Sequence, residues 1–179
     1  MIYVVTALKA EAQAFVDKYR LQPSLLGGYK LFSNDTMRVI VSNVGVTNAM
    51  LATQALIDAY DITDDDVYLN VGICGADESH KIGELVEIGE IVHKKQSYIV
   101  HSYLSSCITC VDQEMTSAEH TIVDMESFGF YDAIRHSTAI KNFHIYKVVS
   151  DHFEPETITK EFTKSLIFKN LEKIMKDKI

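Results

Sequence analysis

The chain has 179 residues and a formal net charge of −8, with 47% hydrophobic and 23% charged residues. That is the length of one domain and the composition of a globular protein, which excludes a disordered chain. No apolar run approaches the roughly 18 residues that cross a bilayer, and a net acidic surface repels phosphate backbones, so neither a membrane nor a nucleic acid is expected as a partner.

The first segment, Met1-Ile2-Tyr3-Val4-Val5-Thr6, has no basic stretch before an apolar core, so a cytoplasmic location is expected. Val4, Val5 and their neighbours read as a short buried strand. Leu8, Ala12, Phe15 and Tyr19 form one stripe of a helix over about 8–19. Pro23 and Gly27-Gly28 predict a break, followed by strands at 29–33 and 37–41 across an Asn34-Asp35 turn. Gly45 and a cap at Thr47 open a helix over about 48–60. The acidic loop 61–66 leads to a strand at 67–71, after which Gly72 and Gly75 are expected to turn the chain. Further strands are expected at 85–92, 97–104 and 107–111. Asp124 is read as the cap of a helix reaching about 137, followed by a strand at 143–149 and a closing helix at 156–176. Strands and helices alternate at both ends, and strands cluster in the middle. The pattern predicts a single α/β domain over 1–179, three layers (α/β/α) with a mixed central sheet.

Three carboxylates stand where chemistry is plausible, each beside a plainer alternative. Glu11 falls at the edge of the first helix's buried stripe, or is a solvated first-turn residue favouring the helix dipole. Glu126, in Val123-Asp124-Met125-Glu126, opens a helix, where acidic residues are common for the same reason. Asp151 follows the strand Ile145-Tyr146-Lys147-Val148-Val149-Ser150, the place where open α/β sheets bind ligands, or is an ordinary loop residue. Lys147 within that apolar strand must point out at an edge or meet a carboxylate. The glycine segment Asn70-Val71-Gly72-Ile73-Cys74-Gly75 lets backbone amides approach an anion or a sugar, but is neither a P-loop nor a dinucleotide fingerprint. Cys107-Ile108-Thr109-Cys110 sits in a predicted strand with no second pair, so core cysteines are the better reading. The seven histidines show neither HxxxH nor HExxH spacing; no metal ligand is assigned and no cofactor is implied.

Together these segments resemble the nucleoside phosphorylase and nucleosidase superfamily, particularly the methylthioadenosine/S-adenosylhomocysteine nucleosidases. The matching pieces are Thr6-Ala7-Leu8-Lys9-Ala10-Glu11, Ser42-Asn43-Val44-Gly45-Val46-Thr47-Asn48-Ala49, Asn70 to Gly75, Val123 to Glu126 and Val148-Val149-Ser150-Asp151, in the family's order. The resemblance implies hydrolysis of the N-glycosidic bond of a purine nucleoside in a homodimeric enzyme. It implies that Glu11 activates the attacking water, and that Met125 and Glu126 hold the ribose. It further implies that Asp151, with Ser150 beside it, protonates the purine ring, and that Lys147 replaces an arginine near the water. Gly75 belongs to the substrate-binding glycine segment. An oxocarbenium-like sugar needs nearby negative charge and a protonated leaving group, which suits this set of acids.

The sequence also departs from the family. Asn70 and Ile73 stand where phosphorylases bind phosphate, and Arg20, Arg38 and Arg135 lie outside the matching motifs, which favours water as nucleophile. A loop-and-helix segment that relatives carry between the strands near Tyr98 and Ile108 is almost absent. The aromatic residue that stacks on the base near Val111-Asp112 is replaced by Gln113 and Glu114. A purine nucleoside phosphorylase and a noncatalytic nucleoside-binding member remain the alternatives. The helix around Met50, Leu51 and Leu56 either forms the dimer contact or faces the core.

Overall fold

The computed structural model describes residues 1–176 and 178. In chain order the elements are β1 (Ile2–Thr6), α1 (Lys9–Tyr19), β2 (Gln22–Leu26), β3 (Tyr29–Ser33), β4 (Met37–Val41), α2 (Val46–Ala59), β5 (Val67–Ala76), β6 (Leu85–Glu87), β7 (Glu90–His93) and β8 (Gln96–Ile99). They continue with β9 (Cys107–Cys110), β10 (Ile122–Asp124), α3 (Ser127–Arg135), β11 (Asn142–Asp151), a 3₁₀ turn (Pro155–Thr157) and α4 (Lys160–Ile174). All strands join one mixed sheet in the order β2-β3-β4-β1-β5-β10-β9-β7-β8, with β11 pairing β5 and β6.

Alternation along the strands sorts the core into two layers. Tyr3, Val5, Ile40 and Ile145 face Leu56 of α2 and Phe130 and Ile134 of α3. Val4, Leu69 and Val148 face Phe15 of α1 and Ile167 and Leu171 of α4. The expected three-layer arrangement with a mixed sheet is therefore present. Leu56 has no exposed surface, so this part of α2 is core, whereas Leu51 is 47% exposed on its outer side.

Several boundaries differ from expectation. Pro23 does not break the chain but lies in β2, an edge strand, where proline's missing N–H is tolerated. Thr47 does not cap α2; Gly45 is the capping residue and makes no side-chain cap hydrogen bond. The expected strand at 85–92 is two strands, because β6 pairs with β11 and β7 turns away to pair with β8 and β9. The closing helix starts only at Lys160, where the Thr159 hydroxyl accepts from the Phe162 amide at 3.1 Å.

The most consequential difference is β5. Gly72 and Gly75 do not turn the chain; they lie inside a strand of 10 residues. Along one edge β5 pairs with β11 from Val67 to Gly75. Along the other it pairs first with β1, as far as Asn70, and then with β10 from Gly75. Residues 71–74 are left without a strand on that side, and the gap between the ends of β1 and β10 is where a site can form. The register of β11 on β5 also shifts between Val149 and Asp151, so Ser150 is an extra residue in a bulge.

Helices α2 and α3 meet at Gly129. A Cβ there would lie 2.0 Å from the Val46 carbonyl oxygen, a backbone atom that cannot swing aside. Gly129→Ala should therefore cost at least about 3 kcal/mol, the upper part of the usual overpacking range. Urea unfolding measures it, and an unchanged midpoint would refute this close packing.

Candidate active site

Glu11 is the third residue of α1 and is 1% exposed. One carboxylate oxygen accepts from the Leu8 amide at 2.8 Å, closing the helix's first turn. The other accepts from the Ile73 amide at 2.9 Å, in the unpaired stretch of β5. Glycine at 72 makes this approach possible, since a Cβ there would sit 2.9 Å from Glu11 Oε1. Burial pushes the carboxyl above its ordinary value, opposed by these amides and by Lys147.

Glu126 stands where the N-termini of α2 and α3 meet. It is the N-cap residue of α3, and its Oε1 accepts from the Gly45 amide at 2.9 Å. A carboxylate from another element thus occupies the position expected for a cap at the start of α2. Burial pushes Glu126 up to about 7; Lys147 opposes the shift, while Asp124 and Glu11 add to it. It therefore changes charge near neutrality.

Lys147 is 1% exposed and its Nζ lies 2.7 Å from Asp124 Oδ2. The lysine does meet a carboxylate, but it stands behind the cleft surface and does not line it. Burial opposes its charge, and Asp124, Glu126 and Glu11 outweigh that and hold the ammonium above its ordinary value. Asp124, the partner of Lys147, is the cleft residue that sequence reasoning missed. It was read only as a helix cap, and it does accept from the Ser127 amide and hydroxyl, at 2.8 and 2.6 Å. The signal was Lys147 itself, because a lysine in a buried strand demands a buried acid.

Ser150 and Asp151 close the site from β11. Ser150 Oγ lies 3.1 Å from the Cys74 carbonyl oxygen and 2.6 Å from Asp151 Oδ2, and Asp151 Oδ1 accepts from the Glu154 amide at 3.0 Å. A carbonyl only accepts, and a hydroxyl has one proton. That one proton is therefore shared between the Cys74 carbonyl and Asp151 Oδ2.

The cleft between these groups holds about 140 Å³ and is lined by Glu11, Gly75, Met125, Glu126, Ser150 and Asp151, among others. It shares Leu8, Ile73 and Asp151 with a groove of about 600 Å³ that runs between α1 and the start of α4. Every predicted site residue except Lys147 lines the cleft. Val111, Glu114 and Met115 form another wall, where an aromatic residue was found wanting, and no arginine lines it. The three cysteines are free, with Cys74 and Cys110 buried, and Cys107 half-buried.

The position of Glu126 makes a prediction about stability. A carboxyl raised above its unfolded value stabilises the fold below that value and loses the contribution as pH rises to about 7. Glu126→Gln, which keeps an oxygen for Gly45, should raise the melting temperature at pH 8 and leave it nearly unchanged at pH 5. An equal shift at both pH values would show that the carboxyl is not strained by its charge.

No protein-family model matches the chain, and no curated protein matches it by sequence. Solved structures match by fold. The 5′-methylthioadenosine/S-adenosylhomocysteine nucleosidase of Helicobacter pylori, in complex with butyl-thio-DADMe-Immucillin-A, has a TM-score of 0.79 at 15% identity, over 99% of this chain and 98% of that one. The futalosine hydrolase of Helicobacter pylori gives 0.78 at 16%, over 99% and 97%. A methylthioadenosine/S-adenosylhomocysteine nucleosidase of Colwellia psychrerythraea, in complex with adenine, gives 0.73 at 19%, over 95% and 93%. The chain has the fold of these hydrolases.

Proposed function

We propose that the chain hydrolyses the N-glycosidic bond of a purine ribonucleoside of the methylthioadenosine type. The observation that carries this reading is the convergence of Glu11, Glu126 and Asp151 on one cleft, in the gap between the ends of β1 and β10. The bond between the sugar and the purine nitrogen breaks as water attacks the anomeric carbon. Glu11 takes the water's proton, Glu126 and Met125 hold the ribose, and Asp151, with Ser150 hydrogen-bonded beside it, protonates the departing base. Gly75 lets the sugar approach the strand. Lys147 acts from behind, its ammonium offsetting the charge of the two glutamates while it pairs with Asp124. The nucleoside analogue and adenine bound by proteins of this fold support a purine nucleoside as ligand.

The absence of arginine from the cleft wall favours water over phosphate, so hydrolysis is preferred to phosphorolysis. The same reading makes the enzyme a cytoplasmic homodimer. Leu51 on the outer side of α2 supports the dimer, and sedimentation as a monomer at micromolar concentration would remove that part. Among the described residues no helix is long and apolar enough to cross a membrane.

Release of free base from methylthioadenosine, S-adenosylhomocysteine, adenosine and inosine, with and without phosphate, tests the function. Hydrolysis predicts the same rate without phosphate. Release that depends on phosphate would make the chain a phosphorylase, and binding without release would make it a noncatalytic nucleoside-binding protein.

A further inference from the structure

Ser150 and Asp151 lie at one end of β11; near the other end is a second cluster of chemically active groups. Glu87 closes β6, His144 lies in β11, and His101 lies in the link between β8 and β9. His144 Nδ1 is 2.7 Å from Glu87 Oε1, and the two imidazole rings are 5.3 Å apart. One donor atom from each of the three residues lies within 4.8 Å of the other two. All three are half-buried, neither free in solvent nor sealed in the core.

We propose that Glu87, His101 and His144 form a binding site for a divalent transition-metal ion of the zinc class, completed by water. Two imidazoles and a carboxylate are the donor set of an open zinc site, with bonds of about 2.0–2.2 Å. Tetrahedral bonds of that length place donors roughly 3.3 Å apart, so small side-chain rotations bring this set into range. The ion takes the place of the proton now shared between His144 and Glu87. His101 is already oriented from behind, because its Nε2 donates to the Phe143 carbonyl at 2.9 Å, which leaves Nδ1 with a lone pair. A ligating histidine normally has such a partner on its other nitrogen.

The surroundings provide access. Glu87 and His144 line a surface cavity of about 620 Å³, in which Asp64 and Asp65 offset nearby lysines. The ligands come from three separate segments, so no local sequence spacing announces them. For the same reason an ion held by all three binds the folded chain and not the unfolded one, and pins the β8–β9 link to the sheet.

The test uses the full chain after chelator treatment, with Co²⁺ as a visible-absorbing substitute for Zn²⁺. The expected result is saturable Co²⁺ absorption at one ion per chain, displaced by Zn²⁺, and a melting temperature that rises with added Zn²⁺. Glu87→Gln, His101→Ala and His144→Ala should each weaken binding by more than the roughly 10–100-fold that loss of a supporting partner costs. His80→Ala and Cys107→Ser should leave binding unchanged. Glu87→Gln keeps the side-chain shape, so the question stays answerable if a histidine variant does not fold. No saturable absorption in the parent chain, or unaltered binding in the Glu87 and His101 variants, overturns the proposal.

Discussion

Asp151→Asn should bind nucleoside about as well as the parent chain while hydrolysis falls by roughly 10²–10⁴, the usual worth of a positioned general acid. Asparagine fills the same space and its oxygen still accepts from the Glu154 amide. Its amide can hydrogen-bond Ser150 but cannot give up a proton to a purine nitrogen as the bond breaks. Binding measured by calorimetry and base release measured in a single turnover separate the two effects. Glu126→Gln is the comparison, because its loss should weaken ribose binding as well as the rate. Unchanged hydrolysis in the Asp151 variant would mean that the leaving group is activated elsewhere.

Lys147→Met should destabilise the fold by about 3–5 kcal/mol, the cost of removing one partner of a buried ion pair. The Asp124 side chain has no exposed surface, and without the ammonium its charge faces Glu126 and Glu11 uncompensated. Asparagine at position 124 in the same background should recover much of the loss, because it removes the stranded charge and keeps an oxygen for Ser127. Urea midpoints of the parent, both single variants and the double variant give the coupling directly. The loss of the cation also withdraws what holds Glu11 and Glu126 down, so the acidic limb of the activity profile should move to higher pH. A single variant with the parent's midpoint would show that Asp124 does not depend on Lys147.

How far the sequence could be read depended on the range of the interaction involved. β3 and β4 were placed correctly because the Asn34 side chain organises their turn locally, accepting from the Thr36 and Met37 amides. The layering was legible because strands and helices alternate at both ends of the chain, and β1 and most of β11 are buried without a break, as a sheet covered on both faces requires. Gly72 misled, because a glycine that permits Glu11 to approach a strand looks the same as one that turns a chain. Thr47 misled because Glu126, far away in sequence, takes over at Gly45. Glu11, Glu126 and Asp151 were individually weak signals, and only the resemblance joined them. Asp124 escaped because one carboxylate performs two tasks, and the nearer task, holding Ser127, explained it fully.

The bulge at Ser150 gives the fold a form of modularity. Up to Val149, β11 is locked to β5 residue by residue, so neither Lys147 nor His144 can move without disturbing the sheet. Beyond it, one inserted residue decides how the acid is aimed. Under the proposed reaction, changes in length or identity at this tip re-aim Asp151 toward leaving groups of different shape while the paired strand below stays as it is. Chemistry at this end of the sheet can therefore diversify without the core being rebuilt.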